Sequence, residues 1–298
     1  MQSLKFFALQ ILLFSSILTV KAQEAKVQII PEKLTENIYM LTGQGGNIGI
    51  FIGPDNIIMI DDQFNHLSSQ IKETIATLSK KPIATLFNTH MHGDHTGGNA
   101  NFNTQEITLI AQDKARERVS ENNLKKLKAQ EIDSIYYNKM LPEITFSEDL
   151  TLYKGNETIM AFHVHHAHTD GDAMVYFVNN NVLHMGDTYF STGYPFIDLK
   201  SGGSVSGYID AQKRALLLID DQTKIIPGHG KSSNKNELET YVIMLEDIKE
   251  NVLKAIANGA TLEEVETNTE ISKKYDASYG GGFINPERLR ATFYSSLK

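Results

Sequence analysis

Asn88-Thr89-His90-Met91-His92-Gly93-Asp94-His95 places three histidines and one aspartate within six residues, directly after the apolar run Ile83 to Phe87. In an extended segment, residues two apart point to the same side, so His90 and His92 address one point. Asp94 and His95 fall at the start of a following helix, where the chain turns and aims them elsewhere. That division suits two adjacent metal ions rather than one. Imidazole and carboxylate without sulfur favour zinc, with iron or manganese as alternatives. The chain has no cysteine, so thiolate is excluded both as a ligand and as a nucleophile. A histidine-rich surface loop without metal would carry the same residues, and the rest of the chain has to decide between the two.

It does so by repeating the placement. His168-Thr169 follows the apolar segment Thr158 to Val164, Asp187 follows the strand expected over Val182 to Gly186, and Gly228-His229-Gly230 follows the strand expected over Lys224 to Ile226. Each polar group stands where a strand runs out into a loop, the usual position of catalytic groups on a rigid scaffold.

Outside these segments the pattern alternates between strand and helix. Apolar runs at Lys26 to Ile30, Asn37 to Leu41, Gly49 to Gly53 and Ile57 to Ile60 predict a β-meander turning at Pro54-Asp55. Phe64 to Leu78 has helical periodicity and stops at Lys80-Lys81-Pro82. Thr96 to Phe102 is a short helix, Leu109 to Ala111 a strand and Lys114 to Lys128 a charged helix. Hairpins are expected for Leu150 to Tyr153 with Thr158 to Val164, and for Met174 to Val178 with Val182 to Met185. Helices at Val205 to Ile219, Asn236 to Asn258 and from Pro286 complete an α/β layered pattern.

The 298 residues are 41% hydrophobic and 21% charged, an ordinary globular composition. Lys5 precedes the apolar run Phe6 to Val20, which ends in Val20-Lys21-Ala22-Gln23. A basic start, a short apolar stretch and a small terminal residue predict a signal peptide over residues 1–22, leaving 23–298 as a single periplasmic or secreted domain. The run is broken by Gln10, Ser15, Ser16 and Thr19 and is shorter than the roughly 20 apolar residues of a membrane span, so no stable span is expected after cleavage. A retained anchor is the alternative. The net charge is −8 without a basic cluster, which excludes nucleic acid as a partner and leaves a small-molecule substrate.

The ordered set Asp61, His90-x-His92-x-Asp94-His95, His168, Asp187 and His229 resembles the metallo-β-lactamase superfamily over about residues 35 to 230. The resemblance implies an αββα sandwich of two mixed β-sheets flanked by helices, with the site along one edge. It implies two zinc ions per chain: His90, His92 and His168 around the first, Asp94, His95 and His229 around the second, and Asp187 bridging them. Asp61 would accept a ligand histidine N–H and fix its tautomer; a structural cap is the other reading. The implied chemistry is attack on a carbonyl by a hydroxide held between the metals, with Asp94 as the catalytic residue that orients it and moves its proton.

Substrate choice is less determined. The resemblance and the expected export put a β-lactam amide first, with a lactonase or a glyoxalase-II-like thioesterase as alternatives. Asp187 stands where clinically studied β-lactamases place Cys, and Phe190 stands where many have a substrate-gripping Lys. A bridging Asp is similar to glyoxalase II and the acyl-homoserine lactonases, although the Tyr of the lactonases falls one position off, at Tyr189. Tyr189, Tyr194 and Phe196 are the candidate substrate wall, in a stretch rich in aromatics and Gly. A single-iron persulfide dioxygenase-like enzyme and a non-catalytic zinc-binding protein are further alternatives. The complete second ligand set speaks against both.

His163 and His184 are expected to be packed strand residues, His66 an exposed helix-start residue, and Asp170 and Asp172 to stabilise the His168 loop. His165 and His166 are read equally as support for the ligands or as cleft lining.

Overall fold

The computed structural model describes residues 27–298; the expected signal peptide lies outside them. Within these residues, two sheets stack face to face. The first contains β1 (Ile30–Lys33), β2 (Ile38–Thr42), β3 (Ile48–Ile52), β4 (Ile57–Ile60), β5 (Ile83–Asn88), β6 (Thr108–Gln112) and β7 (Ile144–Phe146), in that spatial order. Strands β1 to β4 form an antiparallel meander, and β4 to β7 run parallel. The second sheet contains β8 (Asp149–Lys154), β9 (Glu157–His163), β10 (Ala173–Phe177), β11 (Val182–Phe190), β12 (Lys224–His229) and β13 (Ser233–Asn234), all antiparallel except the parallel pair β11–β12.

The layering follows from side chains alternating across each strand. Ile58 and Ile60 of β4 point into the layer between the sheets, meeting Val175, Phe177 and Ile226 from the other side. Ile57 and Met59 point outward, under helix α1 (Ser68–Leu78) and its Ile71 and Ile75. Because both faces are covered, β4 reads as an unbroken apolar run rather than an alternating one. Short helices α2 (Gly93–Thr96) and α3 (Asn99–Phe102) follow β5, and α4 (Asp113–Lys128) and α5 (Ser134–Lys139) follow β6. The outer face of the second sheet carries α6 (Val205–Leu218) and α7 (Lys235–Ala257). The chain ends in α8 (Leu262–Thr267), α9 (Lys273–Tyr279) and α10 (Pro286–Leu297). Leu183, Met185 and Ile225 meet Tyr208, Leu245 and Phe293 in that outer layer. The result is the expected αββα sandwich of two mixed sheets flanked by helices.

Several elements depart from the sequence pattern. The strand expected over 26–30 is displaced to β1, an exposed edge strand in which Pro31 is tolerated at the sheet margin. Strand β11 does not stop at Gly186 but continues to Phe190, with shifts of register against β12 on either side of Gly186. The sequence reading also missed α5, β7, α8 and α9, each of three to seven residues, too short to display a period.

Candidate metal centre

The site lies at the edge of the sandwich where β4, β5, β11 and β12 all end. His90 and His92 leave β5 and α2 carries Asp94 and His95, while Asp187 sits on β11, His229 ends β12 and His168 occupies the loop between β9 and β10. The expected seven ligands meet in two groups, His90-His92-His168-Asp187 and Asp94-His95-His229. In the first, His92 Nδ1 lies 3.1 Å from His90 Nε2 and 2.8 Å from His168 Nε2. Asp187 Oδ2 stands 3.7 Å and 3.5 Å from those same two Nε2 atoms. In the second, Asp94 Oδ2 lies 3.2 Å from His229 Nε2 and 3.7 Å from His95 Nε2. Asp187 Oδ1 lies 2.9 Å from His95 Nε2 and 3.4 Å from His229 Nε2. One carboxylate thus turns an oxygen toward each group.

These distances match what a small cation requires. Four donors held about 2.05 Å from zinc in a tetrahedron stand about 3.3 Å apart. Hydrogen bonding on the far sides of the rings gives the same answer. His95 Nδ1 donates to Asp61 Oδ2 at 2.7 Å, and His168 Nδ1 donates to the Phe196 carbonyl at 2.7 Å. His92 Nε2 donates to Asp198 Oδ2 at 3.2 Å. Thr89 Oγ1 donates to Asp61 Oδ2 at 2.7 Å and so accepts from His90 Nδ1 at 3.1 Å. With each outer nitrogen carrying the proton, the inner nitrogens present lone pairs to one another. Such a cluster repels itself unless a cation sits among the lone pairs. Asp187 Oδ1 is buried and has no hydrogen-bond partner among the described residues, although His95 Nε2 stands close by. While the facing imidazoles are neutral this buried oxygen has no donor, a costly state that a metal cation or a proton on His95 relieves. The donor set fits a metal pair.

Protonation tells the same story from the acidic side. Burial, and then the neighbouring imidazoles, hold His90 well below its ordinary pKa, and burial lowers His168 to about 4. For His229, burial opposes the charge but Asp187 and Asp94 outweigh it, raising the imidazole to about 9. His95 is likewise raised well above its ordinary value, with Asp187 and Asp61 overcoming burial. Without metal the carboxylates attract protons to the second group, so metal ions and protons compete for it.

Asp61 organises the centre. Fully buried at the end of β4 with φ 64°, it accepts from the Thr89 backbone N–H at 2.8 Å as well as from Thr89 Oγ1 and His95. It therefore orients His95 directly and His90 through Thr89. Asp198 plays the corresponding part for His92, and no sequence signal singles it out. Two glycines were missed as well. A Cβ at Gly46 would collide with the His95 ring, and one at Gly228 with Asp187 Oδ1. Gly46 stands in no motif, and Gly228, although it adjoins His229, carries no local signal of the room it leaves for Asp187.

The expected wall is corrected at one residue. Tyr189 is buried in the outer core with its hydroxyl 2.9 Å from Ser233 Oγ. Because β11 runs on past Gly186, Tyr189 faces inward and Phe190 faces the site, stacked on His229 at 5.1 Å between ring centroids. Tyr194 and Phe196 do line the cleft beside the ligands, a cavity of about 590 Å³ bounded also by Phe64, Phe190 and Phe283. His163 and His184 are buried and hydrogen-bonded to backbone, as expected. His165 and His166 face away, bonded to Glu148 and to the Gly202 carbonyl, and His66 is exposed. Asp172 accepts from Thr169 N and Oγ1 and holds the His168 loop, while Asp170 pairs with Arg118.

Comparison with known proteins agrees with this geometry. A sequence model of the metallo-beta-lactamase superfamily matches residues 42–229. Curated proteins give no match. Among solved structures, the chain is similar to the DIM-1 metallo-beta-lactamase, at 20% identity and a TM-score of 0.59 over 74% of this chain and 99% of that one. It is similar to a metallo-beta-lactamase from Pontibacter korlensis at 17% identity and a TM-score of 0.62, covering 74% of this chain and all of the other. It is also similar to the sec-alkylsulfatase Pisa1 from Pseudomonas sp., at 14% identity and a TM-score of 0.73 over 90% of this chain and 50% of that one. With paired ligand groups sharing Asp187 at the edge of an αββα sandwich, and a family match over most of its length, the chain belongs to the metallo-β-lactamase superfamily.

Proposed function

We propose that the chain is a dinuclear zinc hydrolase that opens a carbonyl bond of a small molecule. The observation that carries this reading is the division of Asp187 between two complete donor groups, Oδ2 toward His90 and His168, Oδ1 toward His95 and His229. When bound, zinc supplies Lewis acidity and brings the pKa of a water down to about 7. The protein supplies everything else. Asp61, Thr89, Asp198 and the Phe196 carbonyl keep the imidazoles in the tautomer that ligates. Asp94 is half-buried and lines the cleft, which places its carboxylate to orient the nucleophile and carry its proton to the leaving group. Phe190 and Phe196 exclude water from the ligand side of the cleft.

Among the described residues no lysine or arginine lines the cavity, and this supports an ester, lactone or thioester as substrate. A β-lactam amide is the second reading, supported by the solved β-lactamases with the same fold. The apolar run at Phe6 to Val20 supports export to the periplasm or medium.

The test is metal analysis of the purified protein in parallel with turnover of ester, lactone, thioester and β-lactam panels. The reading requires close to two zinc ions per chain and turnover on one panel that Asp94→Ala abolishes. One iron per chain with oxygen consumption would overturn it, and so would tight zinc binding without turnover on any panel.

A further inference from the structure

The cleft beside the metal centre has a composition that the metals do not explain. Phe64, Phe190, Phe196 and Phe283 present four phenyl rings to one cavity of about 590 Å³, and among the described residues no lysine or arginine lines it. The rings come from four separate places: the loop after β4, the end of β11, the loop that carries Asp198, and the segment between α9 and α10. Phe283 lies beyond residue 229, where the superfamily match ends, so this chain's own C-terminal segment builds part of the wall.

Phe283 is 76% exposed but does not stand alone, because its ring continues the apolar lining of the cleft through Phe196, and a contiguous exposed apolar patch marks a ligand-binding groove. It follows Gly280-Gly281-Gly282, and a Cβ at Gly281 would meet nothing; packing does not demand that glycine. The ring is held edge-on to Phe196 at 6.1 Å between centroids. The Arg288 guanidinium lies over both rings, 5.0 Å from the centroid of Phe283 and 5.7 Å from that of Phe196. No carboxylate pairs with Arg288 among the described ion pairs. The segment is anchored to the opposite wall, since Tyr194 N donates to the Tyr279 carbonyl at 3.1 Å and Tyr194 Oη donates to Asp276 Oδ1 at 2.7 Å. Only the Phe283 ring is left open to solvent above a fixed base.

We propose that this cleft selects substrates with an uncharged, apolar acyl group, which lies along Phe64, Phe190 and Phe196 and is covered by Phe283, with Arg288 as the positioning residue that holds the two outer rings. Apolar surface buried against rings is the main interaction that the phenyl-lined part of the cavity offers, and an anionic acyl terminus laid against those rings would lose its hydration with no lysine or arginine among the described lining residues to replace it. This proposal rests on the carbonyl-hydrolase reading for turnover, but the cavity itself does not depend on it.

The test compares zinc-loaded protein on neutral p-nitrophenyl esters from acetate to octanoate with esters of equal length ending in a carboxylate. The rate constant kcat/KM is expected to rise two- to fourfold per added methylene, and each carboxylate-ended ester to be at least tenfold slower than its neutral counterpart. Phe283→Ala flattens the series, losing about tenfold at octanoate relative to acetate. Binding is read separately on metal-free protein with the neutral fluorophore N-phenyl-1-naphthylamine, which octanamide displaces and octanedioate does not, and which Phe283→Ala binds more weakly. A flat series with intact turnover overturns the proposal alone. A wild-type preference for carboxylate-ended esters that Arg288→Gln removes also overturns it, by making Arg288 an anion anchor. Probe binding as described without turnover of any ester, lactone, thioester or β-lactam leaves the apolar cavity standing and overturns the hydrolase reading instead.

Discussion

Replacing Asp61 with asparagine isolates the contribution of one charge that touches no metal. The change is nearly isosteric, and asparagine tolerates the left-handed backbone of this position, φ 64°, so the fold is not strained as Asp61→Ala would strain it. In the native chain the carboxylate accepts three hydrogen bonds, from Thr89 N at 2.8 Å, Thr89 Oγ1 at 2.7 Å and His95 Nδ1 at 2.7 Å. An amide keeps one acceptor. With its oxygen on Thr89 N, its NH₂ faces both Thr89 Oγ1 and His95 Nδ1. The hydroxyl can reverse and accept; the imidazole can accept only by moving its proton to Nε2, which points into the second ligand group. Loss of the correct tautomer at one ligand is expected to weaken zinc at that group by 10- to 100-fold, about 1.4–2.7 kcal/mol. The metal-free protein is expected to lose about 1–3 kcal/mol for the weakened buried hydrogen bonding. Competition against a chromophoric chelator, with stoichiometry followed as each ion is withdrawn, measures the first effect, and urea unfolding of the stripped protein measures the second. If Asp61→Asn holds both ions as tightly as the parent while its metal-free stability drops, Asp61 is a structural cap only and the tautomer argument fails.

Two further outcomes follow from the geometry. Gly46→Ala should strip zinc from the second group first, because the new methyl displaces His95. A crystal structure or metal analysis retaining both ions with His95 unmoved would contradict this. Stability of the metal-free protein should peak near pH 6.5. His168 and His184, lowered to about 4 by burial, bind fewer protons folded than unfolded, so stability is lost as pH falls from about 6.5 toward 4. His229, raised to about 9, binds more protons folded, so its contribution is full below about 6.5 and is lost as pH rises through 9. Urea midpoints across pH 4 to 10 check this, and a metal-free midpoint that keeps climbing from pH 7 to 9 refutes the assignment for His229.

How much of this centre could be read from the chain depended on whether a residue's role was local. The seven side chains that converge here were readable because they stand at or just beyond the ends of apolar strand runs, and Asp61 because it follows the buried run Ile57 to Ile60. Tyr189 was misread because strand length decides which way a side chain faces. An apparent end at Gly186 put it in a loop, whereas four more strand residues, Asp187 to Phe190, turned it into the core and brought Phe190 to the cleft. Asp198 was passed over because its partner His92 is 106 positions away, and nothing in an aromatic, glycine-rich stretch announces a hydrogen bond across that distance. Gly46 and Gly228 matter through what they leave out, and room for a neighbour is invisible until the neighbour is in place. The layered fold was easier, since alternation along β4 and periodicity along α1 are written in consecutive residues.

The first ligand group takes His90 and His92 from the end of β5 in one sheet and Asp187 from β11 in the other. An ion bound there would join the two sheets at the edge where β4, β5, β11 and β12 end. In a chain without cysteine, it serves as the rivet that a disulfide would otherwise provide. Chelation should therefore quicken amide exchange along the ends of β5 and β11 together, while the far margins of both sheets exchange as before.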